Sequence, residues 1–552
     1  MSNSEEILKT TYYEKSDRGK TWSGYDLKEF FGPEDVDGLD YGKAVGDPGE
    51  YPFTRGIHKN MYRGRVWTRR EVCGLGSAKD TNERIKFLLR EGAGGPNVIV
   101  DVPGELGIDA DHPRAEGEVG VTGVSINSLE DMTALTDGIP LDQTSFSLIV
   151  ASTTAEVMFA QYLAEAERRG IGYKDLRGSV QNDPLHLRYC GFEPANPPEL
   201  ARKTGVDIIE YCAKHVPQWY PTTINLYDLR EQGITAAQEI AFGFGIGLVY
   251  VDGVLERGLD IDDFAPRLTF YVSAHIDIFE EIAKIRAARR LWAKIMKERY
   301  GAKNPRSLQF KFAVHTAGCS LVPQQPLNNI VRVAYEALVA VLGGVQSLHC
   351  CSYDEPIALP TEQSHLLAMR TQQILAYETG VAGVSDPLGG SYYLESLTDK
   401  LEEEAVKIIK QVEENGGMMK AIASRWLDRE MEMAALEEQR RVEAREHLIV
   451  GVNVLQMPPE DSTPGGVQRI PAYVEEKVIE RLQKLKRERS SLAWRRALDD
   501  LRRHTDKGEK ENLIPPVMEC VKAGATLGEV MGVIRQAFGY SYDALEVIKA
   551  PF

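Results

Sequence analysis

The residues able to do chemistry in this chain gather at the carboxyl ends of short apolar runs. Asp101, Ser147, Gln181-Asn182-Asp183, Tyr227-Asp228, His315-Thr316, His349 with Asp354-Glu355, and Asp386 hold such positions. Imidazole, phenol, amide and carboxylate groups converging on one mouth would orient a polar ligand and control its protons. The competing use is structural. Asp and Ser at such places cap the helix that follows, and for Asp183, Asp354 and Asp386 capping accounts for the residue as well as catalysis does. There is no HExxH, no Walker loop and no GxSxG. The run Gly243-Phe244-Gly245-Ile246-Gly247 lies inside a helical pattern and reads as packing rather than a dinucleotide fingerprint. Asp109-Ala110-Asp111-His112 reads as a loop with a capping aspartate, and no metal site is predicted. Hydrolase, kinase and dehydrogenase machinery is therefore not expected.

Strands must carry these groups, and the chain offers nine: Glu71–Leu75, Asn97–Val102, Ser145–Val150, Gly178–Gln181, Thr222–Tyr227, Arg267–Val272, Leu308–His315, Val345–Cys350 and Gly383–Asp386. Amphipathic helices lie between them. One is Ile276–Tyr300, with Ile278, Ile282, Ile285, Trp292 and Ile295 on one face and stop signals at Gly301 and Pro305. Strand-helix alternation implies parallel strands, so the expected fold is an α/β (β/α)8 TIM barrel, with a doubly wound sheet as the structural competitor. In such a barrel the carboxyl ends of the strands form the site. The expected organisation is an N-terminal arm over 1–50, the barrel over 51–395, a helical segment over 396–451, a linker over 452–471 and a C-terminal helical extension over 472–552.

The formal net charge of -17 argues against a nucleic-acid partner while leaving room for a local basic pocket. The first residues lack the apolar core of a secretory signal, and no stretch reads as a membrane span. Seven cysteines, an odd count without a C-x-x-C pair, predict free thiols in a reducing cytoplasm.

Specific strings then narrow the reading. Tyr51–Gly56 (YPFTRG), Met61-Tyr62, Arg65–Arg70 (RVWTRR), Gly107–Pro113 (GIDADHP) and Gly138–Gln143 (GIPLDQ) resemble the large subunits of the methylmalonyl-CoA mutase family. So do Gln181–Asp183, Phe264–Leu268 (FAPRL), Gln346–His349 (QSLH), Asp354-Glu355, Ala358–Thr361 (ALPT) and Asp386-Pro387. They run collinearly from about residue 50 to 455. The resemblance implies an isomerase, an acyl-CoA mutase in which adenosylcobalamin provides a radical and the CoA tail threads the barrel axis. It implies that Tyr62, Arg65, Thr68 and Arg70 contact CoA or its phosphates, and that Arg267 and Thr269 hold the CoA chain. It implies that Ser179 and Gln181 line the substrate pocket, that Gln346 faces substrate or cofactor, and that Glu355 and Gly74 lie on the cofactor side.

Departures from the family pattern point to a different acyl group. Val72 stands where the family has tyrosine, and Gly191 near the arginine that binds the malonyl carboxylate. Arg188, three residues earlier, is the alternative carboxylate anchor. Tyr227-Asp228 replaces a Tyr-His pair whose histidine donates to the thioester carbonyl. An ionised aspartate cannot donate, so Asp228 is protonated, or turns away, or another group such as His315 supplies the bond. Cys351 replaces an asparagine near the adenosyl group. The tail Ala523–Glu529 (AGATLGE) resembles the barrel subunits of 2-hydroxyisobutyryl-CoA mutases, but Ile99 stands where those have an aspartate for the hydroxyl. Val72 and Ile99 together describe an apolar pocket for a branched or bulky acyl group. No D-x-H-x-x-G string, the family's cobalt-ligating signature, occurs in the sequence. The resemblance therefore implies a separate cobalamin-binding small subunit that ligates the cobalt, in a heterotetramer, with a G-protein chaperone as a further partner. The other class of reading is a catalytically degenerate barrel that serves as a structural or regulatory partner.

Overall fold

A computed structural model describes residues 19–190, 196–458 and 468–551. Among the described residues ten short strands form two five-stranded sheets, and every strand pairing within them is parallel. In chain order they are β1 (Thr68–Arg70), β2 (Val72–Cys73), β3 (Asn97–Ile99), β4 (Phe146–Ile149), β5 (Gly178–Val180), β6 (Trp219–Tyr220), β7 (Thr222–Asn225), β8 (Leu268–Ala274), β9 (Phe312–Thr316) and β10 (Ser347–His349). One sheet runs β1-β10-β9-β8-β7 and the other β2-β3-β4-β5-β6. Only Glu71 separates β1 from β2, and only Pro221 separates β6 from β7. At these two residues a single strand hands its pairing from one neighbour to the other. Pro221 has no N–H for a ladder, which suits such a break. Ten segments thus fill the eight places of a (β/α)8 barrel.

The expected ninth strand, Gly383–Asp386, does not form. Val381–Gly383 is a 3-10 turn, and Asp386 has φ 46, outside the extended region. Its carboxylate is used instead by Arg55 (3.0 Å) and Arg286. The predicted Ile276–Tyr300 helix is observed as an α-helix over Ile278–Lys294 followed by a π-turn over Ile295–Arg299.

Strand residues alternate between a core side and an axial side. On β8, Phe270 turns outward to Phe310 (ring centroids 4.5 Å) and Trp292 (4.7 Å), while Thr269 and Tyr271 line the axis. The apolar core therefore lies between strands and helices. The glycines of the helix Ala236–Glu256 let it lie close to the strands. A Cβ on Gly243 would lie 2.2 Å from Leu226, and one on Gly247 2.9 Å from Ile224, so the glycine run is packing. Contrary to expectation, this helix is long and apolar enough to cross a membrane, and it lies mostly buried against the strands.

The later helices pack on the barrel. Tyr392–Glu414 lies against Ile278–Lys294, and Ile514–Lys522 lies against Ala155–Arg168. Asp109 accepts from Thr526 Oγ1 (2.6 Å) and Gly528 N (2.8 Å), and His112 Nε2 meets Asp543 (3.1 Å). The metal-like string is thus a clasp for the C-terminal helices. The expected linker 452–471 falls partly outside the described residues.

Arg286 is fully buried between Asp386 and Glu395 and joins the barrel to Tyr392–Glu414. Arg286→Met leaves the buried Glu395 carboxylate without its cation and Asp386 with Arg55 alone, at a cost of about 3–5 kcal/mol. The denaturation midpoint is expected to fall sharply. It should not move for Arg440→Met, which breaks only exposed pairs to Glu437 and Glu446. Equal midpoints for the two variants would contradict this account of the joint.

Candidate active site in the barrel axis

The axis is open. A cavity of about 860 Å3 runs through it, and its middle layer is small: Ser147, Ser179, Thr223, Thr269, Ala313 and Ser347 all face inward. These residues stand in register around the barrel, with Ser147 beside Ser179, Thr223 beside Thr269 and Ala313 beside Ser347. Their hydroxyls pair with one another or with the backbone: Ser179 Oγ to Ser147 Oγ at 2.9 Å, and Thr269 Oγ1 to the Thr222 carbonyl at 2.8 Å. Most barrels fill this space with branched side chains. A long, narrow ligand fits here instead.

The amino-terminal rim is basic. His58, Lys59, Arg65, Arg177, Arg267, Arg306 and Lys311 line the cavity there. In a chain of net charge -17 this ring is a local exception that focuses potential on an anion. Arg267 lies over the Tyr220 ring, 5.2 Å from its centroid. Burial first, then Arg306 and Arg267, hold Lys311 down at about 7. Arg70 differs from its neighbours. Its guanidinium donates to the Pro96 carbonyl (2.8 Å), the Ser145 carbonyl (3.0 Å), Ser145 Oγ (2.8 Å) and Ser347 Oγ (3.2 Å). It ties strand ends together with four of its five N–H groups, which takes it out of the free, forked state expected of a phosphate ligand. Tyr62 lines the cavity, but its hydroxyl donates to the carbonyls of Val341 (3.1 Å) and Val345 (2.9 Å).

The carboxyl-terminal end is aromatic and imidazole-rich. Tyr227 stacks on His315 (4.3 Å), and His315 meets Tyr271 (5.8 Å) and His349 (4.1 Å) edge-on. Burial, and then the neighbouring His349, drives His315 well below its ordinary value; burial drives His349 to about 3. Both rings are neutral, and their hydrogen bonds assign the tautomers. His315 Nδ1 faces the Thr316 carbonyl at 2.7 Å and must carry the proton, so its Nε2 is an acceptor. His349 Nδ1 accepts from Val72 N at 3.0 Å, so its Nε2 carries the proton. His349 lines the cavity and His315 does not, so of the two rings His349 stands nearer the axis.

Asp228 is neither protonated nor idle. Burial alone would raise its pKa, but the hydrogen bond and charge of His186 hold it below the ordinary range. His186 Nε2 lies 2.9 Å away and Cys190 Sγ 2.8 Å away. Burial opposes the charge on His186, and Asp183 and Asp228 outweigh it, raising the imidazole to about 9.

Of the residues expected from sequence, the cavity gathers Tyr62, Arg65, Thr68, Arg70, Ser179, Gln181, Arg267, Thr269 and Gln346. Val72, His315, Tyr227 and Cys351 surround its upper end through the contacts above and through Cys351 Sγ, 3.5 Å from His315 Nδ1. Gly74 sits against the Ile99 carbonyl, 2.2 Å from where its Cβ would be. Glu355 accepts from Ser352 N at 2.6 Å, and burial raises it to about 7. Arg188 is turned to Asp428 (3.0 Å) on the helix Trp426–Glu443 and does not line the cavity. Gly191 lies outside the described residues. Sequence reasoning missed Arg177 and Lys311. The signal was present, because Arg177, Arg267 and Lys311 each directly precede a strand, and in a parallel barrel those positions share one rim.

The structure is a parallel (β/α)8 barrel with a basic rim, an open axial channel and a buried polar chamber at the opposite end. The chain matches the methylmalonyl-CoA mutase family over residues 20–540. It is 40% identical over 504 residues to the 2-hydroxyisobutanoyl-CoA mutase large subunit of Aquincola tertiaricarbonis, covering 90% of this chain and 88% of that one. It is 40% identical over 534 residues to methylmalonyl-CoA mutase of Rhizobium meliloti, covering 96% and 74%. With the human mitochondrial methylmalonyl-CoA mutase it shares 38% over 493 residues, covering 89% and 65%. The chain belongs to the methylmalonyl-CoA mutase family, the acyl-CoA mutases, and is an isomerase.

Lys311 gives this site a pH signature. A phosphate at the rim favours the ammonium form, which free Lys311 loses as pH rises through about 7. Between pH 7 and 9, where the ligand's phosphates are ionised, affinity for a CoA thioester is expected to fall by up to roughly tenfold per unit. Lys311→Gln should flatten the profile. Titration calorimetry checks this, and a flat wild-type profile would contradict it.

Proposed function

We propose that this chain is the substrate-binding subunit of an adenosylcobalamin-dependent mutase that rearranges the carbon skeleton of a branched or bulky acyl-CoA by radical chemistry, and not that of methylmalonyl-CoA. The observation that carries this reading is the open axis, basic at one end and buried, neutral and hydrogen-bonding at the other. CoA phosphates suit the rim arginines, and the pantetheine chain suits the serine and threonine layer. The thioester then reaches His349.

The carboxyl-terminal face has groups suited to an adenosyl moiety. Ser352 Oγ is buried without a hydrogen-bond partner, and Glu355 and Cys351 lie beside it in the chain. Adenosylcobalamin, when bound, would supply the radical chemistry. His349 Nε2–H donates to the thioester carbonyl, with the Gln181 amide as a second polar group. Neutral rings serve this purpose without offering an acidic proton. Stacked Tyr227 and His315 wall the chamber and exclude water.

The acyl group is inferred from what faces it. The cavity arginines belong to the rim except Arg70, which is bound to strand-end groups, and Arg188 is held by Asp428. Among the described residues no guanidinium meets a malonyl carboxylate at the upper end. Val72 and Ile99 on β2 and β3, with Ile149 in the cavity lining, favour a branched alkyl group. A separate cobalamin-binding small subunit is part of the proposal, because the relative from Aquincola tertiaricarbonis is itself named a large subunit. A cytoplasmic heterotetramer is the assembly proposed.

The test mixes this chain with a cobalamin-binding small subunit and adenosylcobalamin, then screens acyl-CoA thioesters for isomerisation. Turnover of a branched thioester is expected, with Val72→Tyr shifting preference to smaller acyl groups. His349→Phe should lower kcat by about 10²–10³ with little change in KM. Absence of both isomerisation and cobalt-carbon cleavage with every thioester would overturn the proposal in favour of a degenerate barrel.

A further inference from the structure

A second group of side chains stands beside the axial chamber. His186 and Cys190 lie four residues apart on the turn that ends in Leu187–Cys190, and Asp228 follows β7. His186 Nε2, Cys190 Sγ and Asp228 Oδ2 lie 2.9, 3.0 and 2.8 Å from one another. Imidazole, thiol and carboxylate form a ligand set that suits a zinc-type dication better than calcium or magnesium, which take oxygen ligands alone.

The surroundings are those of a metal site. His186 Nδ1 is turned to the Asp183 carbonyl at 2.5 Å, which fixes the tautomer with Nε2 aimed at the other two groups. Asp183 is itself held by Tyr250 Oη (2.7 Å) and Asn225 N (2.8 Å), and Asp228 by Asn225 Nδ2 (2.6 Å). The charge is lopsided. Asp183 and Asp228 flank one imidazole. Among the described residues no lysine or arginine donates to Asp183, Asp228 or Cys190. Two carboxylates facing one imidazole leave room for the charge of a bound cation.

We propose that His186, Cys190 and Asp228 bind one divalent transition cation of the zinc type, with a coordination position open toward Gln181. Tetrahedral coordination sets such donor atoms roughly 3.3–3.6 Å apart. That is about half an ångström more than observed, within reach of small χ rotations of Cys190 and Asp228. Binding releases the Cys190 thiol proton and the Nε2 proton of His186. Gln181 Nε2, 3.5 Å from His186 Nε2, lines the axial cavity, so the open position borders ligand space. The inference rests on this geometry and not on the mutase reading.

The test uses the full chain, stripped with a chelator and titrated with Co2+. One equivalent is expected to bind with visible d–d bands and a near-ultraviolet thiolate-to-cobalt transition, and Zn2+ should displace it. Cys190→Ser should abolish the near-ultraviolet transition, and Asp228→Asn should weaken binding roughly tenfold or more. Cys351→Ser should leave the spectrum unchanged, because Cys351 belongs to the other thiol-imidazole group, with His315 and His349. Far-ultraviolet circular dichroism establishes that each variant is folded. A wild-type chain that takes up no Co2+, or a thiolate transition that survives Cys190→Ser or disappears in Cys351→Ser, would overturn the proposal.

Discussion

An axis left open is the constraint on which the rest of this protein depends. A barrel usually gains much of its stability from side chains packed along its centre. Here Ser147, Ser179, Thr223, Thr269, Ala313 and Ser347 face the centre and leave a cavity of about 860 Å3. Cohesion has to come from elsewhere. It comes from the strand-helix interface, where Phe270, Phe310, Phe244 and Trp292 interlock and the glycines of Ala236–Glu256 let a helix lie close against β7. It comes also from Arg70, which spends four of its five N–H groups on strand ends, and from the later helices clasped to the barrel by Asp109 and Arg286.

The open axis has a direction. Cations cluster at one rim, and neutral imidazoles and a phenol close the other end. A ligand with an anionic head and a reactive tail can enter only one way round without placing its phosphates against burial and aromatic rings. Orientation is thus set by long-range charge before any specific contact forms. At the closed end the low dielectric keeps His315 and His349 uncharged, so they act through hydrogen bonds and not as acids.

Much of this was legible in the sequence. Strand-helix alternation gave the barrel, and inward small residues on β4 and β5 could be read from Phe146-Ser147-Leu148-Ile149 and Gly178-Ser179-Val180. What failed had physical causes. Gly383–Asp386 looked like a strand, but Asp386 takes a positive φ and serves Arg286. Arg70 matched a CoA-contact motif, yet the hydrogen-bond needs of four nearby strand-end groups claim it. His315 and His349 could not be distinguished as donor and acceptor without knowing which carbonyl or N–H each ring meets. Asp228 remained ambiguous because its partner His186 lies 42 residues away in the chain.

The central claim is that the axis is a ligand channel, and the most direct measurement is to fill it. Ser147→Leu combined with Ser179→Leu adds apolar volume to the layer that other barrels pack. Titration calorimetry with a CoA thioester should find binding lost, while the thermal midpoint stays level or rises as the new side chains are buried. Thioester binding undiminished in the folded double variant would contradict the account.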